Sequence, residues 1–120
     1  MDKQTVGKLG EDTASRYLAL QGYKIVERNY RTKWGELDIV ALAPDKTLVF
    51  CEVKTVSGPD PQISGEDQLT RQKLRKLRRT AQIYAGNRVN DRISSPGWRI
   101  DLITIIIEGD KARVRHYRNI

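Results

Sequence analysis

Three side chains in the first half of the sequence have the makings of a divalent-cation site: Asp38, Glu52 and Lys54. They fall in two apolar runs, Leu37–Ala43 and Thr47–Lys54, separated by the polar turn Pro44-Asp45-Lys46. Apolar runs divided by such a breaker read as a β-hairpin. With the turn centred on Asp45, antiparallel pairing sets Asp38 opposite Glu52 and Glu36 opposite Lys54, and period-two alternation puts all four on one face. Directly opposed Cβ atoms lie about 4.5–5.5 Å apart. A slip of one residue would part Asp38 from Glu52.

Two carboxylates at that spacing repel each other and raise each other's pKa unless positive charge lies between them. A hard divalent cation, Mg²⁺ or Mn²⁺, resolves the conflict, because it takes oxygen ligands and completes its shell with water and substrate phosphate. Such an ion polarises a phosphoryl oxygen and lowers the pKa of a bound water. Lys54, two residues past Glu52 on the same face, is placed to orient that water or to stabilise charge developing on the phosphoryl group. The plainer alternative makes Lys54 a bridge between Glu36 and Glu52, an ion pair that contributes little when exposed. Against it, the other face of the hairpin is Leu37, Ile39, Ala41, Val49, Cys51 and Val53, and charges inside strands so apolar are uncommon.

The elements around the hairpin follow from periodicity and breakers. Val6, Leu9, Gly10, Ala14, Tyr17 and Leu18 recur at helical intervals ahead of Gly22, so residues 5–21 read as an amphipathic helix with Glu11 at the border of its apolar face. Tyr23–Tyr30 reads as a first strand, followed by a turn through Thr32, Lys33 and Trp34. Thr55–Gln68 is rich in Pro, Gly and Ser and reads as a long loop. Leu69–Ala85 carries Thr70, Leu74, Leu77, Ala81 and Tyr84 on one stripe and reads as a second helix, ended by Gly86 and Asn87. After a connection through Ser94-Ser95-Pro96-Gly97, Trp98–Ile107 reads as a buried strand, and the Gly109-Asp110 turn leads to a last strand, Ala112–Tyr117. The order α-β-β-β-α-β-β predicts an α/β domain.

The chain's 120 residues, 38% of them hydrophobic, suffice for one core and predict a single domain over 1–120. No run approaches the roughly 18 apolar residues of a membrane span, and the polar start MDKQTVGKLGED does not have the form of a signal peptide, so a cytoplasmic protein with no membrane partner is expected. Cys51 is the only cysteine, which excludes an internal disulfide and a Cys-based zinc site. A net charge of +7 and a pI near 9.8 favour polyanionic partners, nucleic acid above all.

The segments GED at 10–12, RNYRTKWGELDIVA at 28–41 and VFCEVKT at 49–55, together with Thr70-x-x-Lys73 and Arg99-Ile100-Asp101, closely resemble the YraN-type family of small bacterial proteins. That family is similar to the PD-(D/E)xK nuclease superfamily of restriction enzymes and Holliday-junction resolvases. The resemblance implies a restriction-endonuclease-like αβββαβ core with a mixed central sheet flanked by helices. It also implies Asp38 and Glu52 as metal ligands with the Val53 carbonyl as a third, Lys54 as the catalytic lysine, and Glu11 approaching from the first helix. Related nucleases pair to cut two strands, so a homodimer is a further implication. Leu37 replaces the proline that names the motif, and Val56 stands where similar chains carry arginine.

In the stretch 71–79 six of nine residues are basic, namely Arg71, Lys73, Arg75, Lys76, Arg78 and Arg79. No acid offsets them, so they read as a phosphate-binding face giving sequence-independent, salt-sensitive affinity, although such runs are more commonly just solvated. The resemblance turns Lys73, with Thr70 and Gln68, toward the active site. His116 is read as a surface strand residue, and Trp34 and Trp98 as packed at strand edges. Together these features predict a Mg²⁺-dependent endonuclease acting on DNA, with selectivity for branched or single-stranded structures. The alternative is a non-catalytic nucleic-acid-binding or adaptor module on the same fold.

Overall fold

A computed structural model describes residues 2–57, 69–87 and 97–120. The element order is the expected one: α1 (Lys3–Leu20), β1 (Lys24–Thr32), β2 (Gly35–Leu42), β3 (Leu48–Ser57), α2 (Arg71–Asn87), β4 (Trp98–Glu108) and β5 (Lys111–Tyr117). The strands form one sheet in the order β1-β2-β3-β4-β5. Every neighbouring pair is antiparallel except β3 and β4, which run parallel with α2 between them in sequence. This is the mixed-sheet αβββαβ arrangement that the resemblance implied, with β5 added at one edge. The expected loop at Gly58–Gln68 and the connection at Ser94–Pro96 lie outside the described residues.

One helix covers each face. Ala14 and Leu18 of α1 pack on Ile39, Val49, Cys51 and Ile103, while Leu77, Ala81 and Tyr84 of α2 pack on Val40, Phe50 and Ile100. β4 is therefore enclosed from both sides, and Ile100–Ile106 is buried without interruption, as a central parallel strand requires. Asp2 starts α1 by accepting the Thr5 N–H at 2.8 Å, and Gly22, at φ 90°, ends it by turning the chain so that the Tyr23 N–H reaches the Leu18 carbonyl at 2.9 Å. At Gly10 the helix comes so close to β3 that a Cβ would overlap the Thr55 hydroxyl, which explains a glycine in mid-helix.

Several expectations need correction. Thr70 does not belong to the buried stripe of α2; it is exposed and caps the helix, its Oγ1 accepting the Lys73 N–H at 3.1 Å. Gly86 and Asn87 lie inside α2, not beyond it. Thr55 and Val56 do not open a loop but continue β3 to Ser57, because β4 offers partners in Ile105, Ile106 and Ile107. Leu37 does not share a face with Ile39: it packs in the α2-side cluster, and Ile39 in the α1-side cluster. The same switch occurs across the ladder in β1, where Arg28 turns to α1 and Tyr30 packs toward α2. Between them stands Asn29 in the left-handed conformation, φ 54°, which rotates the strand by a step that regular alternation lacks. A β-bulge between Ile25 and Glu27 further distorts β1.

His116 is not at the surface. Its side chain is 6% exposed, with Nε2 2.7 Å from Asp101 Oδ2 and Nδ1 2.9 Å from the Tyr17 hydroxyl. Arg99 closes the other side, its Nε donating to Asp101 Oδ1 at 3.0 Å and its Nη2 to the Tyr23 hydroxyl at 2.9 Å, and the Asn119 N–H donates to Asp101 Oδ1 at 2.9 Å. Burial pushes the Asp101 carboxyl up, but hydrogen bonds from His116, Arg99 and Asn119 outweigh it and hold the group below the ordinary carboxylate range. This network ties α1, β4 and β5 together. Its stabilisation is present above the carboxylate's unfolded pKa and is lost as pH falls through the depressed folded value. Asp101→Asn should therefore lower folding stability at pH 7 by about 3 kcal/mol and make the acid limb shallower. Denaturant melts of both proteins from pH 7 to pH 2 check this, and parallel pH profiles would refute it.

Candidate metal centre and nucleic-acid groove

The hairpin register is the one expected, with Ile39 opposite Cys51, Val40 opposite Phe50, and so on to the turn. Asp38 and Glu52, however, are not a laddered pair, because the β2–β3 ladder ends at Ile39 and Cys51. There the strands part, and Asp38 Oδ2 accepts the Val53 N–H at 2.8 Å in place of a backbone carbonyl. β3 stays anchored on its other side to β4, with Glu52 opposite Leu102 and Lys54 opposite Thr104. The site thus occupies the fork between two strands.

Asp38 and Glu52 share a side-chain hydrogen bond there. Burial raises the Asp38 carboxyl, opposed by the Val53 N–H, while burial and then the Asp38 charge push Glu52 up to about 8. At neutral pH the pair consequently retains a proton. The Lys54 ammonium is shifted the other way, down, by burial and by the neighbouring Lys73 ammonium. Glu11 is raised by burial and by Asp38, and is held at the rim by Arg28 and Asn29. Arg28 also pairs with Asp12 at 2.9 Å.

These residues line a cleft of about 660 Å³ whose walls include Gly7, Glu11, Asp38, Glu52, Val53 and Lys54. A second cleft of about 350 Å³ continues past Glu52 and Lys54 to Lys73, Lys76 and Thr80 of α2. Glu36, Glu52 and Lys54 border both, so the two form one groove from α1 to α2. One end of it is acidic and the other basic.

Residues 10–105 match the model of Uncharacterised protein family UPF0102. The chain belongs to that family. A UPF0102 protein of Syntrophotalea carbinolica is 41% identical over 116 residues, 94% of this chain and 88% of the relative. One from Thermotoga petrophila is 38% identical over 102 residues, 85% of this chain and 87% of the relative. The YraN-type resemblance is thereby borne out. The structure of Pyrococcus furiosus SfsA in complex with Ca²⁺ is similar at a TM-score of 0.40 and 16% identity, over 98% of this chain and 64% of that one.

The matched span of the UPF0102 chain holds every acid and lysine of the groove except Asp2. Of the residues singled out from sequence, Glu11, Asp38, Glu52, Val53, Lys54 and Lys73 come together, and Lys76 borders the groove. Glu36 pairs with Arg31 at 3.4 Å, not with Lys54. The basic residues of α2 do not form one uniform face: all six are exposed, but Arg78 turns to the other end of the sheet, its Nη2 donating to the Ile120 carbonyl at 3.3 Å. Arg71 and Arg75 are not among the groove's lining. Arg28 and Asn29, which position Glu11, were missed, although both sit in the RNYRTKWGELDIVA segment. Gln68 lies outside the described residues.

The donor set fits a hard cation: two carboxylates already sharing a proton for lack of positive charge, with the Val53 backbone beside them. Among the described residues no three of His, Cys, Asp and Glu form a ready metal cluster. A metal-free protein bears the cost of holding these two acids together. Because the folded Glu52 value is raised, stability falls as pH rises from about 4.5 to about 8 and then levels. Glu52→Gln should raise the melting temperature in EDTA by about 4 °C at pH 8, with a smaller gain at pH 5. A gain that does not depend on pH would refute the assignment.

Proposed function

We propose that the protein is a Mg²⁺-dependent endonuclease, also served by Mn²⁺, that hydrolyses phosphodiester bonds in DNA of branched or single-stranded structure in the cytoplasm. The observation that carries this reading is the meeting of Asp38 and Glu52 in the fork between β2 and β3 beside Lys54, with Lys73 and Lys76 on the adjoining wall. Asp38, Glu52 and the Val53 carbonyl would hold the ion, which supplies Lewis-acid charge at the phosphoryl oxygens and acidifies a water.

The chain's own groups account for the rest. The Val53 N–H fixes one oxygen of Asp38 and so sets the orientation of the carboxylate in the cleft wall. Lys54, its ammonium held below the ordinary lysine range by burial and by Lys73, would orient the attacking water and stabilise charge developing on the phosphoryl group. Lys73 and Lys76 offer positive charge to the strand's phosphates and leave base identity unread. Glu11, protonated more readily than an exposed acid, stands at the rim as an auxiliary acceptor. Among the described residues no helix is long and apolar enough to cross a membrane.

Calorimetric titration with Mg²⁺ should give saturable heat with the wild type and none with Asp38→Asn, with affinity rising as pH approaches 8 because the shared proton must leave. Equal heats from the two proteins would remove the metal site. Incubated with Mg²⁺ and branched, single-stranded and duplex DNA, the wild type should cut at least one substrate and Lys54→Ala should be slower by about 10²-fold or more. Binding without cleavage of any substrate would favour the non-catalytic module.

A further inference from the structure

Trp34 has a setting that the proposed chemistry does not use. It lies in the β1–β2 turn, immediately before Gly35, which borders the basic end of the groove together with Lys73 and Lys76. The turn is pinned locally: the Trp34 N–H donates to Thr32 Oγ1 at 3.0 Å, and that hydroxyl donates to the Gly35 carbonyl at 3.1 Å. The indole, expected to be packed at a strand edge, is open to solvent. It is 43% exposed, whereas the other tryptophan, Trp98, is packed edge-on against Phe50 at a centroid distance of 5.7 Å.

Two cations attend the exposed ring. The Arg79 guanidinium carbon of α2 stands 4.0 Å from the ring centroid and the Lys33 ammonium 5.0 Å. A guanidinium against an indole is a planar cation on a π face, and with 43% of the residue exposed the ring still meets solvent. The turn and α2 therefore hold an aromatic plate at the mouth of a lysine-lined groove. Aromatic plates beside cationic tracks bind unpaired bases regardless of sequence, because every base has a π face and its phosphate remains free for the lysines. A paired base, stacked inside a duplex, offers neither face.

We propose that Trp34, backed by Arg79, is a stacking platform for an unpaired nucleobase, so that the groove selects a strand with single-stranded character next to the phosphate at Asp38 and Glu52. The inference rests on the nucleic-acid reading above and adds to it the feature that tells open strands from duplex. The occupant is a base, not an apolar peptide: positive charge surrounds the ring, and Lys73, Lys76 and Arg79 rise from the same helix toward the groove and the turn.

The test is equilibrium binding in EDTA, which separates it from any metal or cleavage step. The probes are a fluorescein-labelled oligo(dT) of about a dozen nucleotides and a duplex of the same length, read by anisotropy. Trp34→Ala should weaken oligo(dT) binding about tenfold and duplex binding by less than about twofold, while Trp34→Phe stays within about threefold of wild type on both. In a Trp98→Phe background Trp34 is the sole tryptophan, and its emission should be quenched as oligo(dT) is added. Unchanged oligo(dT) affinity in Trp34→Ala, equal losses on both probes, or an absence of quenching would each overturn the platform. Wild-type protein that binds neither probe would overturn the nucleic-acid reading along with it. A stacking defect in a protein that takes up no Mg²⁺ would leave the platform standing and remove the metal centre alone.

Discussion

The groove depends on a single hydrogen bond, from the Val53 N–H to Asp38 Oδ2 at 2.8 Å. Where β2 leaves β3, backbone donors on β3 lose their partners, and an unpaired donor away from water costs as much as a broken hydrogen bond. Asp38 supplies the acceptor from its side chain. The strands can therefore separate without leaving Val53 unsatisfied, and the carboxylate that permits the fork is fixed in orientation by it. Glu52 and Lys54 enter the open space because β4 continues to hold β3 from behind.

Around that fork the helices supply what the hairpin lacks. α1 brings Glu11, and it can approach only because Gly10 has no side chain to meet Thr55. α2 brings Lys73, whose charge acts on both Lys54 and Glu52. The result is two acids sharing a proton beside two neighbouring lysines of like charge, an arrangement that costs stability. Stability is restored at a distance, by the well-satisfied carboxylate of Asp101 and the apolar layers on either side of β4.

The sequence disclosed the parts of this plan that are local. The Pro44-Asp45-Lys46 turn determined the hairpin register, and helical spacing located both helices to within a few residues. What escaped depends on contacts far apart in the chain. The strand fork at Asp38 is decided by β4 holding β3, a pairing of residues some fifty positions apart. The switch of faces at Leu37 needs the left-handed backbone of Asn29 in the neighbouring strand, and asparagine alone does not announce it. His116 looked superficial because its sequence neighbours are charged, yet its partners are Asp101 and Tyr17. Thr70 fits the helical period as well as the residues that follow, and only its hydroxyl's bond to Lys73 reveals a cap.

The two outer strands bear on how copies of this chain can meet. β5 presents exposed Lys111, Arg113 and Arg115, and β1 is bent by its bulge and by the left-handed Asn29. Laying β5 against a second β5 would bring like charges face to face, and β1 offers no straight row of donors and acceptors to extend. Growth of the sheet across molecules is thus discouraged at both margins, and β4, with seven successive buried residues, stays internal to the five-stranded layer.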